Sequence, residues 1–221
     1  NCRYCFRRHF PYADNALSNA ELESNIAYIA ADPAIDEVIL SGGDPLMAKD
    51  SKLAALAEKI AAIPHVKRLR IHTRLPVVMP SRLDASFYRW FAGLPVQRVL
   101  VLHINHANEV SAELTEKLAP LRQAGVTVLN QAVLLKGVND TADTQAQLNE
   151  KVFAAGIMPY YLHLLDKVQG AAHFDIDVEQ AREIMAGVIK RLPGFMVPKL
   201  VTEIGGQPGK TPVDLRLYPQ D

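Results

Sequence analysis

The chain has 221 residues, 49% hydrophobic and 22% charged, a composition sufficient to close a full core within one globular domain. Lys and Arg number 24 and Asp and Glu also number 24, so no basic field points to nucleic acid and no acidic excess points to a solvating tail. No run of about 18 apolar residues is present to span a bilayer, and the first residues lack the basic-then-apolar pattern of a secretory signal, so the expected compartment is the cytoplasm.

Both cysteines, Cys2 and Cys5, fall within the opening NCRYCFRRHF, at C-x-x-C spacing. Two cysteines are too few for a disulfide framework, and in a reducing compartment such a pair binds metal or cycles its redox state. A structural zinc needs four ligands, and neither a second cysteine pair nor a histidine pair at finger spacing follows. A thioredoxin-like pair opens a helix after a strand, whereas CRYCFRR is basic. These residues alone leave a redox pair and part of an iron–sulfur site equally open. The chain also starts without methionine inside this motif, so the expectation is a fragment of a longer chain.

Helical spacing follows over 20–31, after the candidate cap Ser18. From there strand-like runs alternate with amphipathic segments: EVILSG, a helix over 51–62, KRLRIHT, a helix over 84–92, RVLVLHIN, a helix over 112–122, VTVLNQAVLL, a helix over 143–155, IMPYYLHLL, a helix over 178–191, and FMVPKLV. Pro and Gly punctuate the joins, as in ADPAID, AAIPH, AGLPV and QAGVT. This alternation predicts right-handed βαβ units around a parallel sheet, in one domain over 1–221. Polar residues gather where several different strands end: SGGDP, HTRLP, HINHANE, NQ and HLLDK. A barrel assembles one site that way, whereas an open doubly wound sheet concentrates its site at a single switch point.

In SGGDPL the two glycines let a polar ligand approach the main chain, although a tight turn explains an isolated G-G-D as well. EIGGQPGKTP resembles a phosphate loop only superficially, because Ile204 stands where the first glycine of that loop is required. What remains is Lys210 on a compliant glycine-rich turn, suited to a Schiff-base lysine that must swing between a cofactor aldehyde and a substrate amine; a solvated surface lysine is the alternative. Asp166 and Glu203 lie near the ends of the last two strands, where paired carboxylates suit an ammonium group, or else are exposed surface charges. His103, Asn105, His106, Asn108 and Glu109 fit strand-end or helix-capping roles.

Taken in order, CRYCFRRHF, VILSGGDPL, LRIHTRLPVV, HINHANEV, LNQAVLLKGVND, YYLHLLDKVQGAAHF and GKTPVDL resemble one family, the lysine 2,3-aminomutases, which are radical S-adenosylmethionine enzymes that also use pyridoxal phosphate. MPYYLHLLDKVQGAAHF and VPKLVTEIGG are most similar to the branch that supplies β-lysine for modifying elongation factor P, with the catabolic enzymes as the alternative. The resemblance implies a partial (β/α)6-type radical SAM barrel whose first strand lies upstream. It implies that Cys2 and Cys5 are two of three thiolates on a [4Fe–4S] cluster, the third upstream of Asn1, leaving one iron open to S-adenosylmethionine. Ser41, Gly42, Gly43 and Asp44 match the segment that receives the methionine amino end of that cofactor, and His103 and Gln131 lie in motifs near it. Lys210 matches the lysine that binds pyridoxal 5'-phosphate. Arg7 matches an arginine that pairs with the substrate carboxylate, and Asp166 with Glu203 matches the pair that grips the distal ammonium of L-lysine. The expected activity is isomerisation of L-lysine to β-lysine, fed by a reducing electron donor, with a functional link to elongation factor P and with oligomerisation left open. A Schiff-base aldolase using Lys210 and a non-catalytic cluster-binding scaffold are the rival readings.

Overall fold

The computed structural model describes residues 3–5 and 19–217, apart from the side chain of Asn19; Cys2, Arg7 and Ser18 lie outside that set. The described chain divides into two compact units, one holding residues 19–102 and 113–128, the other residues 3–5, 103–112 and 129–217.

The first unit runs α1 (Asn19–Ala31), β1 (Glu37–Leu40), α2 (Asp50–Ala61), β2 (Arg68–Thr73), a short α3 (Leu75–Val78), α4 (Ala85–Ala92), β3 (Gln97–Leu102) and most of α5 (Ala112–Gln123). β1, β2 and β3 are parallel neighbours, with Val38 opposite Leu69 and Ile71 opposite Leu100. β2 shows the two-residue period of a strand: Leu69, Ile71 and Thr73 are buried, while Arg68, Arg70 and His72 on the other face are half-buried. Leu53, Ala57 and Ile60 of α2 and Phe87, Trp90 and Phe91 of α4 follow the helical period, so each helix buries one stripe. The Phe87 ring lies 5.3 Å from Trp90 and 5.2 Å from Phe91. Asp50 ties α2 to this group, accepting hydrogen bonds from Trp90 Nε1 and Arg82 Nη2, each at 2.8 Å.

The second unit carries most of β4 (Thr127–Val133), then α6 (Ala142–Ala154), β5 (Met158–His163), α7 (Val178–Ile189), β6 (Lys199–Thr202) and β7 (Thr211–Pro212). β4, β5 and β6 are parallel, and β7 returns antiparallel to β6. Thr141 and Asp177 cap α6 and α7 by accepting the Thr144 and Gln180 amide hydrogens. Gly187 allows α6 and α7 to approach, since a Cβ there would stand 2.6 Å from the Ala142 Cβ.

Within each unit the strands follow chain order, joined by helical crossovers, which is the arrangement of a partial (β/α)-type barrel and not the reversed order of a doubly wound sheet. Each expected strand and helix is present, with shifted ends. EVILSG stops at Leu40 because Gly42 turns the chain through a φ of 101°. FMVPKLV yields only Lys199–Thr202 because its first residues form a 3-10 turn over Gly194–Met196. Among the described residues no helix is long and apolar enough to cross a membrane.

Buried amides fasten the strand ends of the second unit. Asn130 Oδ1 accepts from the Ile104 amide at 3.0 Å and its Nδ2 donates to the Ile104 carbonyl at 3.1 Å. Asn139 donates to the carbonyls of Asn105 and Val133 at 2.8 and 2.9 Å and accepts from the Leu135 amide at 2.7 Å. Asn139→Ala removes the partner of three backbone groups, two of them in buried bonds, and is expected to lower stability by about 2–4 kcal/mol, read as a lower midpoint in urea unfolding.

Candidate functional site

The end of β1 leads directly into Ser41–Asp44. Ser41 and Gly43 are exposed, while Asp44 is half-buried and engaged from within the protein. Its Oδ1 accepts from Thr73 Oγ at 2.6 Å and from the Leu46 amide at 3.1 Å, and its Oδ2 accepts from the Arg74 and Leu75 amides at 2.7 and 2.9 Å. The carboxylate therefore clamps the glycine turn to the end of β2. With Asp44 so engaged, the exposed part of the segment is Ser41 and Gly43.

In the second unit Cys5 is a half-buried free thiol. Its neighbour Tyr4 is anchored through its hydroxyl, which accepts from Asn105 Nδ2, and Arg3 stacks over Phe174 at 5.3 Å. Among the described residues no three His, Cys, Asp or Glu converge as metal ligands. HINHANE largely serves the turn after β3: His106 Nδ1 accepts from the Asn108 amide, and Glu109 accepts from the amides of Asn105 and His106. Gln131 is half-buried on β4, opposite Tyr161.

Asp166, Glu203 and Lys210 come together at the ends of β5 and β6. His163 closes β5 and pairs with Val201 of β6, so Asp166 and Glu203 emerge from the same end of two adjacent parallel strands. β6 then turns through the glycine-rich loop, where Gly206 has a φ of 83°, and Thr211 pairs back with Thr202. That hairpin sets Lys210 against Glu203, and the two form an ion pair. Burial and then the Glu203 charge push the Asp166 carboxyl above its usual range, with Lys210 opposing.

His163 belongs to this cluster and is absent from the residues expected from sequence. It is 7% exposed, and burial together with the nearby Lys210 charge lowers its pKa to about 4, against the pull of Glu203. The signal was its place at a strand end on the same face as Tyr161, whose ring lies 5.6 Å away.

Residues 1–144 match the radical SAM superfamily. The chain is 55% identical over 220 residues to the L-lysine 2,3-aminomutase of Escherichia coli, covering 100% of this chain and 64% of that one. It is 52% identical over 211 residues to the enzyme of that name from Haemophilus influenzae, covering 96% and 62%, and 37% identical over 214 residues to that from Clostridium subterminale, covering 96% and 51%. The chain thus spans less than two thirds of these relatives. Among solved structures, Streptococcus suis SuiB bound to S-adenosylmethionine shares the fold with a TM-score of 0.62 at 18% identity, over 91% of this chain and 47% of that one. A radical SAM methyltransferase from Sphaerobacter thermophilus does so with a TM-score of 0.57 at 16% identity, over 84% and 55%. Sequence match and fold agree, and the chain belongs to the radical SAM superfamily.

Proposed function

We propose that this chain is the catalytic domain of a lysine 2,3-aminomutase, acting as one unit over 1–221 to convert L-lysine to β-lysine. The observation that carries the reading is the meeting of Asp166, Glu203 and Lys210 at one strand end, two carboxylates and an amine suited to a diamine substrate and an aldehyde cofactor. Supporting it, relatives at 55% and at 37% identity both bear the name L-lysine 2,3-aminomutase, so that activity is common to both. The finer reading, supply of β-lysine for elongation factor P in the cytoplasm, rests on the resemblance of MPYYLHLLDKVQGAAHF and VPKLVTEIGG to that branch.

The residues fit the implied cofactors. Lys210 carries a primary amine on a compliant hairpin, as an aldehyde cofactor needs, and Cys2 and Cys5 are thiolate donors of the kind an iron–sulfur cluster needs. Bound, a [4Fe–4S] cluster with S-adenosylmethionine supplies a hydrogen-abstracting carbon radical after one-electron reduction, and pyridoxal phosphate supplies the conjugated ring over which nitrogen migrates. The chain's own work is positioning. Ser41–Gly43 offers main-chain groups to the methionine end of S-adenosylmethionine, with Asp44 holding that turn; the assignment of His103 and Gln131 to the same cofactor rests on the resemblance of their motifs. Arg7 takes the carboxylate end of lysine. Asp166 and Glu203 take the distal ammonium, and the cost of keeping Asp166 ionised is offset when that cation arrives. Lys210, on its hairpin, supplies the amine that holds pyridoxal phosphate.

The primary test is anaerobic turnover of L-lysine by the full-length protein loaded with iron, sulfide, reductant, S-adenosylmethionine and pyridoxal phosphate, with β-lysine read by mass spectrometry. Product is expected and is lost in both Lys210→Ala and Cys5→Ala. Cleavage of S-adenosylmethionine without β-lysine shows that the substrate is different, and absence of both in a cluster-loaded sample refutes the catalytic reading. A second expectation separates clamp from scaffold. Asp166→Asn weakens lysine binding about tenfold or more while leaving S-adenosylmethionine cleavage largely intact. Its thermal midpoint does not fall, because the amide removes a carboxylate that burial and Glu203 both oppose.

A further inference from the structure

Arg82 carries no part of the mechanism above, yet every nitrogen of its guanidinium is engaged within the first unit. Nε donates to the Leu46 carbonyl at 2.8 Å, and Nη2 reaches the Ala48 carbonyl at 3.4 Å. Nη1 and Nη2 also donate to the two carboxylate oxygens of Asp50, at 3.2 and 2.8 Å. The side chain is 14% exposed and lies over the Phe87 ring at 5.7 Å. With its charge met by Asp50, what the planar fork has left to offer is direction: N–H groups aimed at main-chain carbonyls.

Those carbonyls belong to the segment that leaves β1. Pro45–Met47 forms one 3-10 turn directly after Ser41–Asp44, with the Met47 amide donating to the Asp44 carbonyl and the Ala48 amide to the Pro45 carbonyl, each at 3.1 Å. Leu46, the middle of that turn, is buried and held at both of its peptide groups: its amide donates to Asp44 Oδ1, and its carbonyl accepts from Arg82. Arg82 closes the stretch that opens with Arg74 and Leu75, whose amides hold Asp44 Oδ2. The segments after β1 and β2 are therefore tied twice, once at Asp44 and once at Leu46. A turn tied at one point can pivot about it, and a second tie removes that freedom. Ser41 and Gly43, both exposed, are thus set in place from behind.

We propose that Arg82 is a positioning residue for S-adenosylmethionine, holding the 3-10 turn through the Leu46 and Ala48 carbonyls so that the Ser41–Gly43 main chain is preorganised for the ligand. Arg82 acts through Leu46 and does not touch the ligand. A turn ordered beforehand loses less freedom on binding, so the contribution is read as affinity. The proposal rests on the reading that Ser41–Gly43 receives the methionine end of S-adenosylmethionine.

The experiment titrates S-adenosylmethionine into the full-length, cluster-loaded protein and follows the electron paramagnetic resonance of the reduced cluster. The visible absorbance of the pyridoxal phosphate imine is recorded on the same samples. Arg82→Met, which keeps a stem over Phe87, is expected to raise the half-saturating concentration about tenfold and to leave the imine absorbance unchanged. Trp90→Phe controls for stability, because Trp90 donates to the same Asp50 from α4 and lies outside 44–48. It lowers the thermal midpoint and leaves half-saturation where it was. An equal shift in both variants assigns Arg82 to the packing of α2 and α4 and overturns the proposal, as does an unchanged half-saturation in Arg82→Met. Gly42→Val disturbs the turn itself, at its φ of 101°. If Gly42→Val binds as the wild type does, the turn does not receive S-adenosylmethionine and both readings fall; loss in Gly42→Val with retention in Arg82→Met overturns the proposal alone. Should Arg82→Met not fold, Arg82→Lys carries the same test, since it keeps a cation for Asp50 and lacks the fork that reaches both carbonyls. Should neither fold, hydrogen exchange of the wild type decides: segments 44–48 and 80–83 gain protection together on adding S-adenosylmethionine, and protection confined to one, or absent from both, overturns the proposal.

Discussion

The parallel pairing of β5 with β6, with His163 opposite Val201, is the constraint on which the candidate site depends. Asp166 and Glu203 are far apart in sequence, and nothing local brings them together. Two parallel strands in this register release their next residues at the same end, as barrels do when they build a site from several strands. Leu162 and Leu200 are buried on one face and His163 and Val201 on the other, so a slip of one residue would exchange the two faces. The hairpin into β7 then returns Lys210 to Glu203 through the pairing of Thr202 with Thr211.

Polar residues at the strand ends divide into two kinds. Asp44 receives four donors, and Asn130 and Asn139 bond almost entirely to backbone; their chemistry is exhausted in holding loops to strands. Asp166 and His163 are of the other kind. One has its charge opposed by burial and a neighbouring carboxylate, and the other buries a nitrogen without a bond among the described residues. A partly buried carboxylate whose charge is opposed in this way is where an arriving cation gains the most from binding.

Most of the fold was legible because apolar periodicity over long segments records which face is buried, and the six strand runs and six helical segments are all present. Two elements were not. α3 follows β2 with only Arg74 between them, and β7 has two residues, too few to show a period. The site was legible in part. Asp166, Glu203 and Lys210 could be picked out as polar residues near strand ends, but the Glu203–Lys210 ion pair depends on a hairpin that sequence spacing does not reveal. Asp44 read as a ligand residue because its role as a clamp depends on Thr73 and the Arg74 and Leu75 amides, about thirty residues away. His163 stands in HLLDK among the polar strand-end residues, but nothing in its spacing separates it from the neighbouring leucines as a member of the Asp166 cluster.

The Lys210–Glu203 pair illustrates why proximity and strength differ. The Glu203 side chain is 54% exposed, and an ion pair so open to water is worth at most about 1 kcal/mol. Lys210 is therefore kept near Glu203 by the hairpin and not by the pairing, and can leave it at little cost. That is the property a lysine needs if it is to engage an aldehyde and yield its carboxylate to a second ammonium. On the proposed function, Glu203 and Asp166 would then face a cation in either state, first from the chain and then from the ligand. The rigid strand ends hold the acceptors, and the compliant loop carries the group that must move.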